Sequence, residues 1–252
     1  MAQSAVGGLR VSDIGGHPLR DGRWFRTGVV FRISGGMVGP AELAHLDAIG
    51  LRVLVDLRGH NEDRAALENW ALSRGVRYEL QPISFGNPAD LAAAMAEHGL
   101  TEAHGRAFLQ NIYRRILDDF QDSVVGAVTA IATAQPAGFG CAAGKDRTGL
   151  LTALLQDLLG VDRRAIIAGY VSQAPDPDRL REAIGTWWDW EEGDLTKPGL
   201  GAIVAAVEEV MVEALQYLDD RYGGAAGYFE SAGLPAETID LLRQRLVADG
   251  PD

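Results

Sequence analysis

The chain has a single cysteine, Cys141, among 252 residues, so it can form no internal disulfide, and a reducing compartment is its expected setting. No stretch reads as a membrane span. The longest apolar candidate, Gly199 to Leu218, is interrupted by Glu208, Glu209 and Glu213. Met1 to Val6 lacks a basic region followed by an apolar core, so no secretory signal is expected and the cytoplasm is the expected location. The five histidines, His17, His45, His60, His98 and His104, form no helical pair of the H-E-x-x-H kind, and neither a metal nor another cofactor is expected. Basic residues are outnumbered, 23 against 35 acidic, for a formal net charge of −12. That balance argues against a nucleic-acid partner, against tight binding to an anionic membrane and against stable insertion into one.

A hydrophobic content of 47% with no low-complexity tract is enough for a substantial core. The expectation is one domain over residues 1–252, with an α/β core over 1–160 and a helical extension over 161–252 packed on it. Trp24 to Ile33 alternates as strands do, Ala41 to Ile49 reads as a helix ending at Gly50, and Leu51 to Asp56 as a buried strand. Glu62 to Arg74 reads as a helix stopped at Gly75, followed by a strand from Val76 to Leu80. This alternation implies a mainly parallel central sheet flanked by helices, with ligands at its carboxyl edge. Helices are expected from Asn87-Pro88 to Glu97, Thr101 to Asp118 and Asp122 to Ala134, then a short glycine-rich strand from Ala137 to Gly140. Further helices are read at Arg147 to Leu159, Asp162 to Ser172, Asp178 to Trp190, Leu200 to Tyr222 and Pro235 to Val247. Pro175-Asp176-Pro177 is a stiff turn, and Glu191 to Pro198 a loop.

The chemistry concentrates in Cys141-Ala142-Ala143-Gly144-Lys145-Asp146-Arg147-Thr148-Gly149, which leads directly into an apolar helical run. A cysteine and an arginine bracketing a short loop at a helix start curl around a tetrahedral dianion, because the unpaired amides of the first turn converge on one spot. The helix dipole and the cations Lys145 and Arg147 favour the thiolate, the nucleophilic form. The loop is not a Walker loop, since the Gly-x4-Gly-Lys-Ser/Thr spacing is absent.

Cys141 to Gly149 resembles the C-x5-R-T-G signature of the protein-tyrosine phosphatase superfamily, in the wording of its atypical bacterial, PtpB-like branch. Asp13-Ile14-Gly15-Gly16 followed by Arg26 to Ser34, Val55-Asp56-Leu57-Arg58, and Gly227-Tyr228-Phe229 through Leu242-Arg243 are similar to other segments of that family, so the likeness spans nearly the whole chain. It implies a cysteine-phosphatase fold and hydrolysis through a phosphocysteine. Cys141 is then the nucleophile, Arg147 holds the equatorial oxygens, and Ala142, Ala143, Gly144, Lys145 and Thr148 complete the phosphate cradle, with the Thr148 hydroxyl donating to sulfur. Departures fall at four places. Gly140 stands where histidine usually precedes the cysteine, Gln81 to Gly86 holds no carboxylate where some relatives carry a general acid, Ser12 replaces an arginine, and Gly169 replaces an aspartate. Asp146 is therefore the first candidate for proton donation and Asp56 the second.

Three positions are possible substrate-site residues. Asp56 and Arg58 end a strand where a site would lie, although Asp-x-Arg is also a common structural ion pair, and Gly140 leaves room that histidine would fill. Trp187, Trp188 and Trp190 read first as packing and second as a substrate wall. Three substrate classes stay open: a phosphorylated protein (phosphotyrosine or dual specificity), a small metabolite or nucleotide, and a phosphoinositide, the last disfavoured by the net charge. A phosphate-binding module without turnover is the alternative from another class. Oligomeric state is open.

Overall fold

The computed structural model describes residues 3–6, 9–35, 38–84, 101–174 and 198–251. The expected helices over 88–97 and 178–190 lie outside these, as do the Pro175 to Pro177 turn, most of the Glu191 to Pro198 loop, the three tryptophans, His98, Phe85 and Gly86.

A six-stranded sheet forms the middle layer. Its strands are β1 (Gln3–Val6), β2 (Leu9–Asp13), β5 (Val30–Ser34), β6 (Val53–Asp56), β7 (Arg77–Leu80) and β8 (Ala137–Cys141), in the order β1-β2-β5-β8-β6-β7. β5, β8, β6 and β7 run parallel, and β1 and β2 are added antiparallel at one edge. The expected mainly parallel sheet flanked by helices is what the chain adopts. Three short strands, β3 (His17–Pro18), β4 (Trp24–Phe25) and β9 (Val247–Ala248), make a second antiparallel sheet that joins the last residues to the first. Of these, only β4 falls in a stretch that alternates in the sequence, and the two-residue strands β3 and β9 carry no periodicity.

Side chains alternate across the main sheet. Val53 and Val55 point into the larger core and Leu54 into the smaller one. The smaller core packs against α1 (Pro40–Ile49) and α2 (Ala65–Ser73), through Leu46, Leu67, Trp70 and Ala71. The larger packs against α3 (Glu102–Asp119), α4 (Gln121–Thr133), α5 (Asp146–Leu159) and α6 (Arg163–Val171), and against the carboxy-terminal helices α8 (Glu208–Tyr222), α9 (Ala225–Ser231) and α10 (Ala236–Leu246). α5 is buried from Arg147 to Leu159, the mark of a helix surrounded by protein.

Two expected elements differ. The helix expected from Glu62 starts at Ala65, because the Asp63 carboxylate accepts the Ala65 amide and fixes the helix entry there. The helix expected from Leu200 to Tyr222 is two helices, α7 (Pro198–Val204) and α8, separated at residues 205–207. Both corrections bear on the site.

β8 is the strand that delivers the cysteine, and its glycines have a packing cause. A side chain at Gly140 would collide with the Ile33 carbonyl of the neighbouring strand, its Cβ lying 2.9 Å from the carbonyl carbon. Gly140 is thus required by the close approach of β5 and β8, and it opens no room for a substrate. Gly140→Ala is expected to cost about 1–3 kcal/mol as overpacking, and Gly140→His more. Thermal or denaturant unfolding checks this, and an unchanged midpoint for both variants would contradict it.

Candidate active site

The strand end and helix start that the sequence placed side by side do meet. Cys141 closes β8 and α5 begins at Asp146, so residues 142–145 form a tight connection between them. Gly144 takes φ +68°, and a Cβ there would sit 2.8 Å from Ser34 Cβ, so both the backbone angle and the packing on β5 demand glycine. The base of the loop is pinned by backbone bonds. Gly35 N donates to Cys141 O at 2.9 Å, and Leu57 N donates to Gly140 O at 2.8 Å.

Cys141 is 3% exposed, and the Thr148 hydroxyl donates to its sulfur at 3.1 Å. Arg147, one residue before Thr148, is buried and turned toward the segment after β6. Its Nη2 donates to Glu62 Oε1 at 2.9 Å and its Nη1 to Glu62 Oε2, forming a bidentate pair. Nη1 also faces the carbonyls of Leu57 and Ile83 at 3.4 and 3.3 Å. Burial alone would lower the arginine's pKa, but the charges of Cys141 and Glu62 outweigh it and raise it. A planar guanidinium held on one edge in this way keeps its orientation as charge builds on a bound oxyanion. Glu62 is the residue that sequence reasoning missed.

Asp146 is 19% exposed on its side chain. The Tyr113 phenol donates to Asp146 Oδ1 at 2.9 Å, and the Lys145 ammonium stands 3.2 Å from the same oxygen. Burial and the adjacent Asp146 push the Tyr113 pKa well up, so that phenol is a donor at any working pH. It also bonds the Tyr170 hydroxyl at 2.9 Å. Among the described residues, the contacts of Asp146 with Tyr113 and Lys145 both fall on Oδ1.

Lys145, expected at the phosphate through its charge, has its ammonium elsewhere. Nζ donates to the carbonyls of Ile203 and of Ala205, the latter at 3.1 Å, where the break between α7 and α8 presents them. Asp56 and Arg58 also lie by the site and share a small cavity with Cys141, but they are held by each other and by the fold. Arg58 Nη2 donates to Asp56 Oδ2 at 2.6 Å and Nη1 to Gly35 O at 2.8 Å, while Tyr78 OH donates to Asp56 Oδ2 at 2.8 Å. Both side chains are almost wholly buried, which favours the structural reading of the Asp-x-Arg pair over substrate contact. Of the segment without a carboxylate, Gln81 to Ser84 is described and approaches Arg147 through the Ile83 carbonyl. Among the described residues no group of three or more His, Cys, Asp or Glu is arranged to hold a metal ion, and no helix is long and apolar enough to cross a membrane.

Comparison with known proteins places the chain in a family. A family model described as "Tyrosine phosphatase family" matches residues 9–248. A tyrosine-protein phosphatase of Nostoc commune is 29% identical over 225 residues, 84% of this chain and 71% of that one. The triple specificity protein phosphatase PtpB of Mycobacterium tuberculosis is 34% identical over 125 residues, which is 46% of this chain and 45% of the mycobacterial protein. The crystal structure of TpbA from P. aeruginosa covers 79% of this chain and 96% of its own at 16% identity, with a TM-score of 0.36, a level that adds nothing to the fold described above.

Proposed function

Because the chain belongs to the tyrosine phosphatase family, we propose that it hydrolyses phosphate monoesters through a phosphocysteine on Cys141, with a phosphotyrosyl protein as the favoured substrate. The observation that carries this reading is the Thr148 hydroxyl on the Cys141 sulfur, at the start of a helix whose Arg147 is held by Glu62. In the first step the Cys141 thiolate attacks phosphorus and the bond to the leaving oxygen breaks. Arg147 and the amides of residues 142–148 hold the three equatorial oxygens, and the Asp146 carboxyl gives its proton to the leaving oxygen. In the second step Asp146 takes a proton from water as the water attacks phosphorus. The S–P bond then breaks, and the Thr148 hydroxyl stabilises the departing thiolate. Lys145 serves this scheme as a clamp on Asp146 and on the residue 203–205 segment. No cofactor enters, and the reducing setting that a thiolate needs fits a cytoplasmic location.

An aryl phosphate leaves more easily than an alkyl one, so the contribution of Asp146 depends on the substrate. Asp146→Asn is expected to lower kcat on a phosphoseryl peptide by about 100-fold or more and on an aryl phosphate by about tenfold. Equal losses on both would give Asp146 a holding role and no proton transfer. The proposal itself is tested by comparing kcat/KM over phosphotyrosyl and phosphoseryl peptides, nucleoside monophosphates and phosphoinositide headgroups. The phosphotyrosyl peptide is expected to lead. A lead by a nucleotide or headgroup would reassign the substrate, and phosphate binding without turnover of any ester would make the chain a binding module.

A further inference from the structure

Arg32 sits in the middle of β5 behind the loop and is 6% exposed. Its Nη2 donates to the Gly144 carbonyl at 2.6 Å. It makes no ion pair among the described residues, which is unusual for a buried guanidinium. Burial lowers its pKa to about 10, and the strongest influence against that lowering is Cys141.

The other buried cations around Cys141 each contact a carboxylate. Arg147 on α5 is matched by Glu62 from the loop after β6, Lys145 by Asp146, and Arg58 by Asp56. Tyr113 on α3 and Tyr170 on α6 have raised pKa values, from burial first and then from Asp146, and both are neutral. Farther out, Arg10 faces Arg32 and donates to the carbonyls of Gln173 and Ala174. Among the described residues, Arg32 is the buried cation directly behind the loop that has no carboxylate in ion-pair contact.

We propose that Arg32 is a positioning residue of this site, holding the loop through the Gly144 carbonyl and favouring the Cys141 thiolate with a charge that makes no ion pair among the described residues. The cleft beside it is partly open and is lined by Ser12, Asp13, His17, Arg32, Gly169 and Tyr170 among others, the Asp13 carboxylate accepting from the amides of Gly15 and Gly28. Ser12 and Gly169 are two of the positions at which the chain departs from its family's pattern. A Cβ built on Gly169 meets nothing within 4 Å, so a side chain can start there without a clash, on the cleft that Arg32 also lines.

The inference rests on Cys141 being the nucleophile, and alkylation of the sole thiol by iodoacetamide tests the two separately. Wild type is expected to alkylate at pH 6 far faster than glutathione. Arg32→Met should slow that rate about tenfold, equivalent to one pH unit, with the difference vanishing at pH 9, where every thiol is ionised. Arg32→Lys, which keeps the charge, should restore the rate to within about threefold. Gly169→Asp should slow the pH 6 rate in the same way, because it neutralises Arg32 in place, and this variant tests the inference even if Arg32→Met fails to fold. A wild-type rate no faster than glutathione would sink the nucleophile reading. A fast wild type with Gly169→Asp and any folded Arg32→Met sharing its pH profile would leave Arg32 as a packing residue and overturn the inference.

Discussion

Cys141→Ser is expected to lower kcat by at least about 1,000-fold on every phosphoester the wild type hydrolyses, the scale seen when a covalent nucleophile is removed. A hydroxyl at this position meets the same Thr148 donor and the same Arg147, but it does not ionise near neutrality, and attack on phosphorus requires the anion. The fold should survive. The substitution changes one atom at the end of β8, and the loop is pinned by the backbone bonds from Gly35 and Leu57, which are untouched. Inorganic phosphate should still bind, because Arg147 and the loop amides supply that affinity. Measuring kcat and phosphate affinity together separates the roles, and loss of both would assign Cys141 a structural part.

Arg147 has the second large effect, and its partner makes the outcome divisible. Arg147→Met removes the group proposed to face the developing oxyanion charge, and kcat is expected to fall by about 100- to 1,000-fold. It also leaves the Glu62 carboxylate buried without its fork, a situation that costs about 3–5 kcal/mol. Glu62→Leu alone should also destabilise, since it removes the carboxylate fork from a buried guanidinium, and should lower kcat because Arg147 is less firmly held on that edge. The double variant with Arg147→Met and Glu62→Leu replaces the pair by apolar groups. It should regain most of the lost stability and none of the lost activity. Denaturant midpoints and kcat on the four proteins check this, and recovery of activity in the double variant would contradict it.

The sequence showed the loop and its helix because chemistry and periodicity coincide there. Cys141, Arg147 and Thr148 lie on one strand end and the helix start that follows it, and the contact of Thr148 with Cys141 is local. Glu62 was hidden because its role is set 85 residues away, and because an acidic residue ahead of apolar ones reads as a first helical turn. Asp63 was the signal available, being the better cap. The break at residues 205–207 was illegible for another reason. Ala205, Ala206 and Val207 include no glycine or proline, and the interruption is tertiary, placing two carbonyls on Lys145. Gly140 was visible as an anomaly but not as a cause, since the carbonyl of Ile33 that excludes a side chain there belongs to another strand.

The account stands most directly on the bond between sulfur and phosphorus. Mixing Asp146→Asn, which slows the second step, with a phosphotyrosyl substrate and quenching within one turnover should leave one phosphoryl group on the peptide that contains Cys141, identified by mass spectrometry. Steady turnover with no phosphate on that peptide, or with phosphate on any other residue, would contradict it.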